Sequence, residues 1–109
     1  MAHYLVQLSY TPESFAAQLK EPRNRIEAVT PVLEKLGGRF TAAYYSFGEA
    51  DIVFTAEFPD NVSAAAASLA FSAGGAVKSI KTTPLMTIEE GMNALRKASV
   101  AAAVYVPQR

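Results

Sequence analysis

The chain has 109 residues, enough for one domain to bury a core without disulfide or metal staples. Half of the residues are hydrophobic, which excludes a disordered chain, and ten basic side chains balance ten acidic ones, so neither nucleic acid nor an anionic membrane surface is an expected partner. The absence of cysteine excludes disulfides, thiolate nucleophiles, thiolate zinc sites and iron–sulfur clusters together, and suits a reducing compartment.

Met1-Ala2-His3-Tyr4-Leu5-Val6 has neither a basic start nor a long apolar core, so no secretory signal is expected. No apolar stretch approaches the roughly 20 residues of a membrane span. The expectation is a soluble, cytoplasmic protein. Residues 3–10 alternate, with Tyr4, Val6, Leu8 and Tyr10 on one side and His3, Leu5, Gln7 and Ser9 on the other, which predicts a strand with one face more apolar. Thr11-Pro12-Glu13 then marks a helix entry, since Thr caps free amides, Pro suits the first helical position and Glu favours the positive end of the dipole.

The helical region runs on to Leu36 with breaks, and Pro22 is expected to restart it after Lys20. The basic side chains of Glu21-Pro22-Arg23-Asn24-Arg25 are interleaved with an acid and read as a solvated helix start. Ile26, Val29, Leu33 and Leu36 give a buried stripe, and Pro31 inside it removes one backbone hydrogen bond and should bend the helix. Gly37-Gly38 supplies the stop.

Residues 39–47 and 51–58 form the next two strands, joined by Gly48-Glu49-Ala50 in an antiparallel hairpin. Ile52, Phe54, Ala56 and Phe58 share one face of the later strand. Pro59-Asp60-Asn61 opens a second helix through Ala73, for which Val62, Ala66, Leu69 and Ala73 are the expected inner face, and Gly74-Gly75 ends it. Residues 76–86 read as a fourth strand, with Pro84 signalling an edge or an irregular end. Thr87-Ile88-Glu89-Glu90 matches a capping box and starts a third helix with Ile88, Met92 and Leu95 on one face. The stretch 98–106 is apolar without clear periodicity.

This order is that of an α+β, ferredoxin-like βαββαβ unit: a four-stranded antiparallel sheet, helices on one face, and an extra C-terminal helix. One domain over 1–109 is expected, with its core in 3–87 and the C-terminal helix and tail in 88–109. Leu5, Ala43, Tyr45, Phe47 and Val53 would then face water on the open sheet side, and patches of that kind meet a partner. A homodimer stacking two such faces, with the tail swapped or docked across the boundary, is the expected assembly.

The opening strand with "YTPES", the helix ending "LEKLGGRF", the "YYSFGEADIVF" hairpin and "VKSIKTTPLMT" in the last strand together resemble the GYD-domain family of small bacterial proteins, over roughly residues 4 to 90. The family's namesake hairpin reads Gly, any residue, Tyr, Asp. Gly48, Glu49 and Asp51 fit this pattern, and Ala50 stands where the tyrosine would. The resemblance implies a ferredoxin-like fold of the dimeric α+β barrel group and carries no established activity.

Four sets of residues are candidates for chemistry. Glu49 and Asp51 lie two residues apart and could share a proton or hold a cation. The preferred reading is a solvated Glu49 and an Asp51 that accepts backbone amides and fixes the turn. His3 is the sole histidine and cannot build a multi-histidine metal site, so no metal is expected. On the open sheet face, strict alternation places Gln7, Tyr45, Thr55 and Glu57 together with Lys81 beside them. A phenol, a carboxylate and an ammonium over an apolar floor could hold a small polar-headed ligand, with Glu57 raised in pKa as a base. The plainer alternative has Glu57 and Lys81 pairing at a dimer interface. Tyr10 and Tyr44 are assigned to the helix-facing side or to strand ends.

Three functions follow: a small homo-oligomeric ligand-binding or interaction module without a cofactor, a cofactor-independent enzyme of the dimeric barrel kind acting on an aromatic or polyketide-like molecule between sheet and helices, or structural self-assembly.

Overall fold

Four polar side chains start the four helices of the protein, whose computed structural model describes residues 1–108. The elements are β1 (Ala2–Tyr10), α1 (Pro12–Lys20), α2 (Arg25–Lys35), β2 (Arg39–Tyr45), β3 (Ile52–Phe58), α3 (Asn61–Ala73), β4 (Val77–Leu85) and α4 (Ile88–Ala102). Thr11, Asn24, Asp60 and Thr87 each cap a helix by accepting from amides of its first turn. At Thr87 the predicted capping box is complete, because Glu90 reaches back to the Thr87 amide at 2.9 Å. The Thr87 amide holds the Glu90 carboxyl below the ordinary glutamate range, and the Ser63 amide does the same for Asp60.

The strands form one antiparallel sheet in the order β2-β3-β1-β4, so the fold is α+β and ferredoxin-like, as the element order predicts. β4, with Pro84, lies at an edge. The helical region after β1 is two helices rather than one restarted at Pro22. Asn24 sets the second start, its side chain accepting from Ile26 and Glu27 at 3.0 and 3.1 Å. Pro31 sits inside α2, which remains continuous. α2 stops in a Schellman motif: Gly38 N–H donates to Leu33 O at 2.8 Å and Gly37 N–H to Glu34 O at 3.0 Å, with Gly37 at φ 75°.

The core lies between one sheet face and the helices. Tyr4, Val6, Leu8 and Tyr10 of β1 and Ile52, Phe54, Ala56 and Phe58 of β3 are buried there against Leu33, Ala64 and Ala67. Phe40 meets Phe54 edge-on at 4.8 Å, and Tyr4 meets Phe58 at 5.7 Å. α3 corrects the expected inner face: Val62 and Leu69 are 79% and 71% exposed, and Ala64, Ala67 and Phe71 face the sheet instead. In a helix this rich in alanine the small residues allow the closest approach to the strands, and the larger ones are left outside.

A second correction concerns β2. Its register against β3 shifts between Phe40 and Ala42, a β-bulge at Thr41. Beyond the bulge every side chain changes sides relative to strict alternation. Tyr44 is paired with Val53 and Ala42 with Thr55, on the open face, while Ala43 and Tyr45 pair with Phe54 and Ile52 on the helix side. Tyr45 therefore leaves the open-face set, Tyr44 replaces it there, and Phe47 belongs to the hairpin loop.

The Cα radius of gyration is 17.7 Å, against about 13 Å for a compact chain of this length. The long dimension reaches 59 Å. α4 accounts for this: 15 residues long, it buries none of its side chains, and Ile88, Met92 and Leu95 stand exposed along it. No helix among the described residues is long and apolar enough to cross a membrane.

Candidate functional site

The open face can be read as rows across the four strands. Arg39, Glu57, His3 and Leu85 form the first row, Ala42, Thr55, Leu5 and Thr83 the second, and Tyr44, Val53, Gln7 and Lys81 the third. Gln7, Thr55, Glu57 and Lys81 thus share this face as expected, without converging on one point. Thr55 bonds the bulge residue Thr41 through their hydroxyls at 2.6 Å. Gln7 and Lys81 instead meet Glu49 and Ala50 of the hairpin, around a recess of about 190 Å³.

Glu57 does not pair with Lys81. Arg39 Nε donates to its Oε2, and His3 Nδ1 stands 3.6 Å from Oε1. Its side chain is only 12% exposed, yet its carboxyl is held below the ordinary range, first by the Arg39 hydrogen bond and against the opposing effect of desolvation. The expected raised pKa is overturned, because the face supplies a guanidinium where an apolar cavity was expected. A carboxylate held this way is an ion-pair partner and a poor base near neutrality.

The two hairpin acids separate. Asp51 Oδ2 accepts the Tyr10 amide at 2.9 Å, and the Asp51 amide donates to Leu8 O at 2.8 Å, so Asp51 pins the loop to β1. Glu49 is exposed, and its backbone carbonyl accepts the Ser9 hydroxyl at 2.9 Å. Among the described residues no three His, Asp or Glu side chains are grouped as metal ligands.

On the helix side the core does not close. A cavity of about 190 Å³ lies between α2, α3 and the sheet, walled by Leu8, Ile26, Val29, Phe54, Phe71 and Val77. Native cores hold few voids larger than a water molecule, so an opening of this size inside a small protein is a distinct feature. Arg25, the first residue of α2, and Tyr10, at the end of β1, bring the polar side chains to it. Arg25 Nε is buried and has no hydrogen-bond partner among the described residues. Burial raises the Tyr10 phenol pKa, and the Arg25 guanidinium beside it pulls the other way. Tyr45, moved here by the bulge, lines an adjoining groove with Arg23, Asn24 and Ile26.

By sequence alone Arg25 belongs to a solvated helix start. The available signal was its helical spacing: Arg25 precedes Val29 by four residues, and so shares the side of the helix that carries the buried stripe.

The GYD domain family model matches residues 4–95 of the chain. No curated protein matches it. Among solved structures, that of At3g17210 from Arabidopsis thaliana aligns at 10% identity and a TM-score of 0.50, covering 80% of this chain and 95% of that one. An uncharacterized NIPSNAP domain protein from Burkholderia xenovorans aligns at 12% identity and a TM-score of 0.45, covering 80% and 94%. NE2512, a protein of unknown function from Nitrosomonas europaea, aligns at 23% identity and a TM-score of 0.41, covering 79% and 89%. The first of these likenesses supports the fold and nothing further.

Proposed function

Because the chain belongs to the GYD-domain family, we propose that it is a small-molecule-binding module built from two copies, stacked through their open sheet faces, with a ligand held in each copy between sheet and helices. One observation carries this reading: the sheet is clothed unevenly. Helices cover one face and leave a cavity of about 190 Å³ beneath them, while the half-buried Leu5, Ala42 and Val53 and the exposed Tyr44 lie on a face that no helix packs against among the described residues.

Four strands at about 4.8 Å spacing and about eight residues at 3.3 Å give roughly 500 Å² of face per copy. A stacked pair would bury about 1,000 Å², the lower bound of a specific interface. The exposed stripe Ile88, Met92 and Leu95 of α4 adds apolar surface that a second copy can cover. Catalysis by Glu57 is not favoured, since Arg39 keeps that carboxylate ionised.

Native mass spectrometry of protein purified from its own cells tests the reading. The expected species has twice the 11.7 kDa chain mass plus a small molecule. A monomeric mass at micromolar concentration would overturn the dimer. A dimer that carries nothing and takes up no small molecule would leave self-assembly as the function.

A further inference from the structure

The helix-side cavity holds an electrostatic defect. Its polar side chains are those of Arg25 and Tyr10, and every other lining residue is apolar or glycine. A guanidinium donor enclosed without an acceptor is rare in folded proteins. No acid of the described residues pairs with Arg25: Glu21 takes Arg23, Glu57 takes Arg39 and His3, and Asp51 takes the Tyr10 amide.

The defect, the walls and the size together specify a ligand. The guanidinium is a fork of donors that matches a carboxylate, and the Tyr10 hydroxyl next to it offers one neutral donor more. One cation neutralises one negative charge, whereas a phosphate dianion would leave charge uncompensated against apolar walls. An apolar cavity of about 150 Å³ admits benzene, so 190 Å³ leaves room for a ring and a carboxylate. An outer groove lined by Thr11, Glu13, Ser14, Glu21 and Arg23 shares Arg25, Gly74 and Ala76 with the cavity; Glu21 is paired with Arg23 there, and Arg25 stands where groove and cavity meet.

We propose that this cavity binds a small apolar carboxylic acid, an aromatic or short-chain monocarboxylate, with its body against Val29, Phe54 and Phe71 and its carboxylate on Arg25 and Tyr10. The inference rests on the ligand-binding reading above and gives it a ligand class.

Calorimetric titration of the full chain with benzoate, octanoate and the uncharged benzamide tests it. One or both acids should bind, and benzamide should bind at least about tenfold more weakly than benzoate, the loss expected for a charge-assisted bidentate contact. Arg25→Gln should remove that preference, and Tyr10→Phe should weaken acid binding a few-fold. Arg25→Met provides a second readout that needs no tight ligand. It removes an unsatisfied buried donor, so its Tm without ligand should equal or exceed that of the parent, and the acids should no longer raise it. Equal binding of benzoate and benzamide, or acid binding unchanged by Arg25→Gln, would overturn the carboxylate assignment and leave the cavity as a neutral site. No binding of any probe at about 100-fold excess would overturn both.

Discussion

Arg39 and Glu57, side by side on β2 and β3, close an ion pair at one end of the open sheet face, with His3 on the far side of the carboxylate. The folded-state pKa of Glu57 is therefore below its unfolded value. The sign follows: the stability this group contributes is fully present above the unfolded value of about 4.3 and is lost as pH falls through the lower folded value. Thermal unfolding followed from pH 7 to pH 3 should fall less steeply for Glu57→Gln than for the parent. An equal slope in both would assign the acid sensitivity to other carboxylates.

Gly38 and Gly75 make opposite demands. A Cβ at Gly38 would meet the Phe58 ring at 2.6 and 2.7 Å and Glu57 O at 2.8 Å, whereas one at Gly75 meets nothing within 4 Å and faces only a φ of 81°. Gly38→Ala should lower stability by about 1–3 kcal/mol through overpacking. Gly75→Asn, a residue that accepts the left-handed region, should change it by well under about 1 kcal/mol. Urea unfolding at fixed protein concentration measures both.

The bulge at Thr41 makes a discriminating pair of neighbouring residues. Tyr44→Glu places a charge on the open face and should halve the mass seen by light scattering while the far-UV circular dichroism is unchanged. Tyr45→Glu, one residue along on the helix side, should leave the mass of the assembly as it is. Dissociation by both substitutions, or by neither, would count against stacking through this face.

α4 buries nothing in the single chain, so its removal should matter only to assembly. In the Tyr44→Glu background, ending the chain at Met86 should shift the unfolding free energy by less than about 0.5 kcal/mol, the range of changes at exposed positions. In the parent the same truncation should weaken self-association, measured by the concentration at which light scattering reports dissociation.

The α1 and α4 caps and the α2 stop were legible because each rests on local chemistry: Thr11, Thr87 and Gly37-Gly38 act within a few residues of themselves, whereas the α2 start falls at Asn24 and not at the expected Pro22. The sides of β2 were not legible. Thr41 carries no mark of a bulge, and a single added residue exchanges the roles of Tyr44 and Tyr45. On α3 the largest side chains suggested the inner face, but proximity to the strands is set by Ala64 and Ala67. Arg25 was missed as a site residue because its surroundings arrive from β1, β3, α3 and β4, all distant in sequence.

The two outer strands end the sheet in different ways with one result. β2 carries an irregularity at Thr41 that breaks its outward row of amides and carbonyls. β4 carries Pro84, which has no amide to offer a neighbour, and the lysines Lys78 and Lys81 along its length. Such rims resist the addition of a further strand, the route by which open sheets run on into fibrils. With both rims spoiled for that growth, the proposed meeting of flat side with flat side would saturate at a pair instead of propagating.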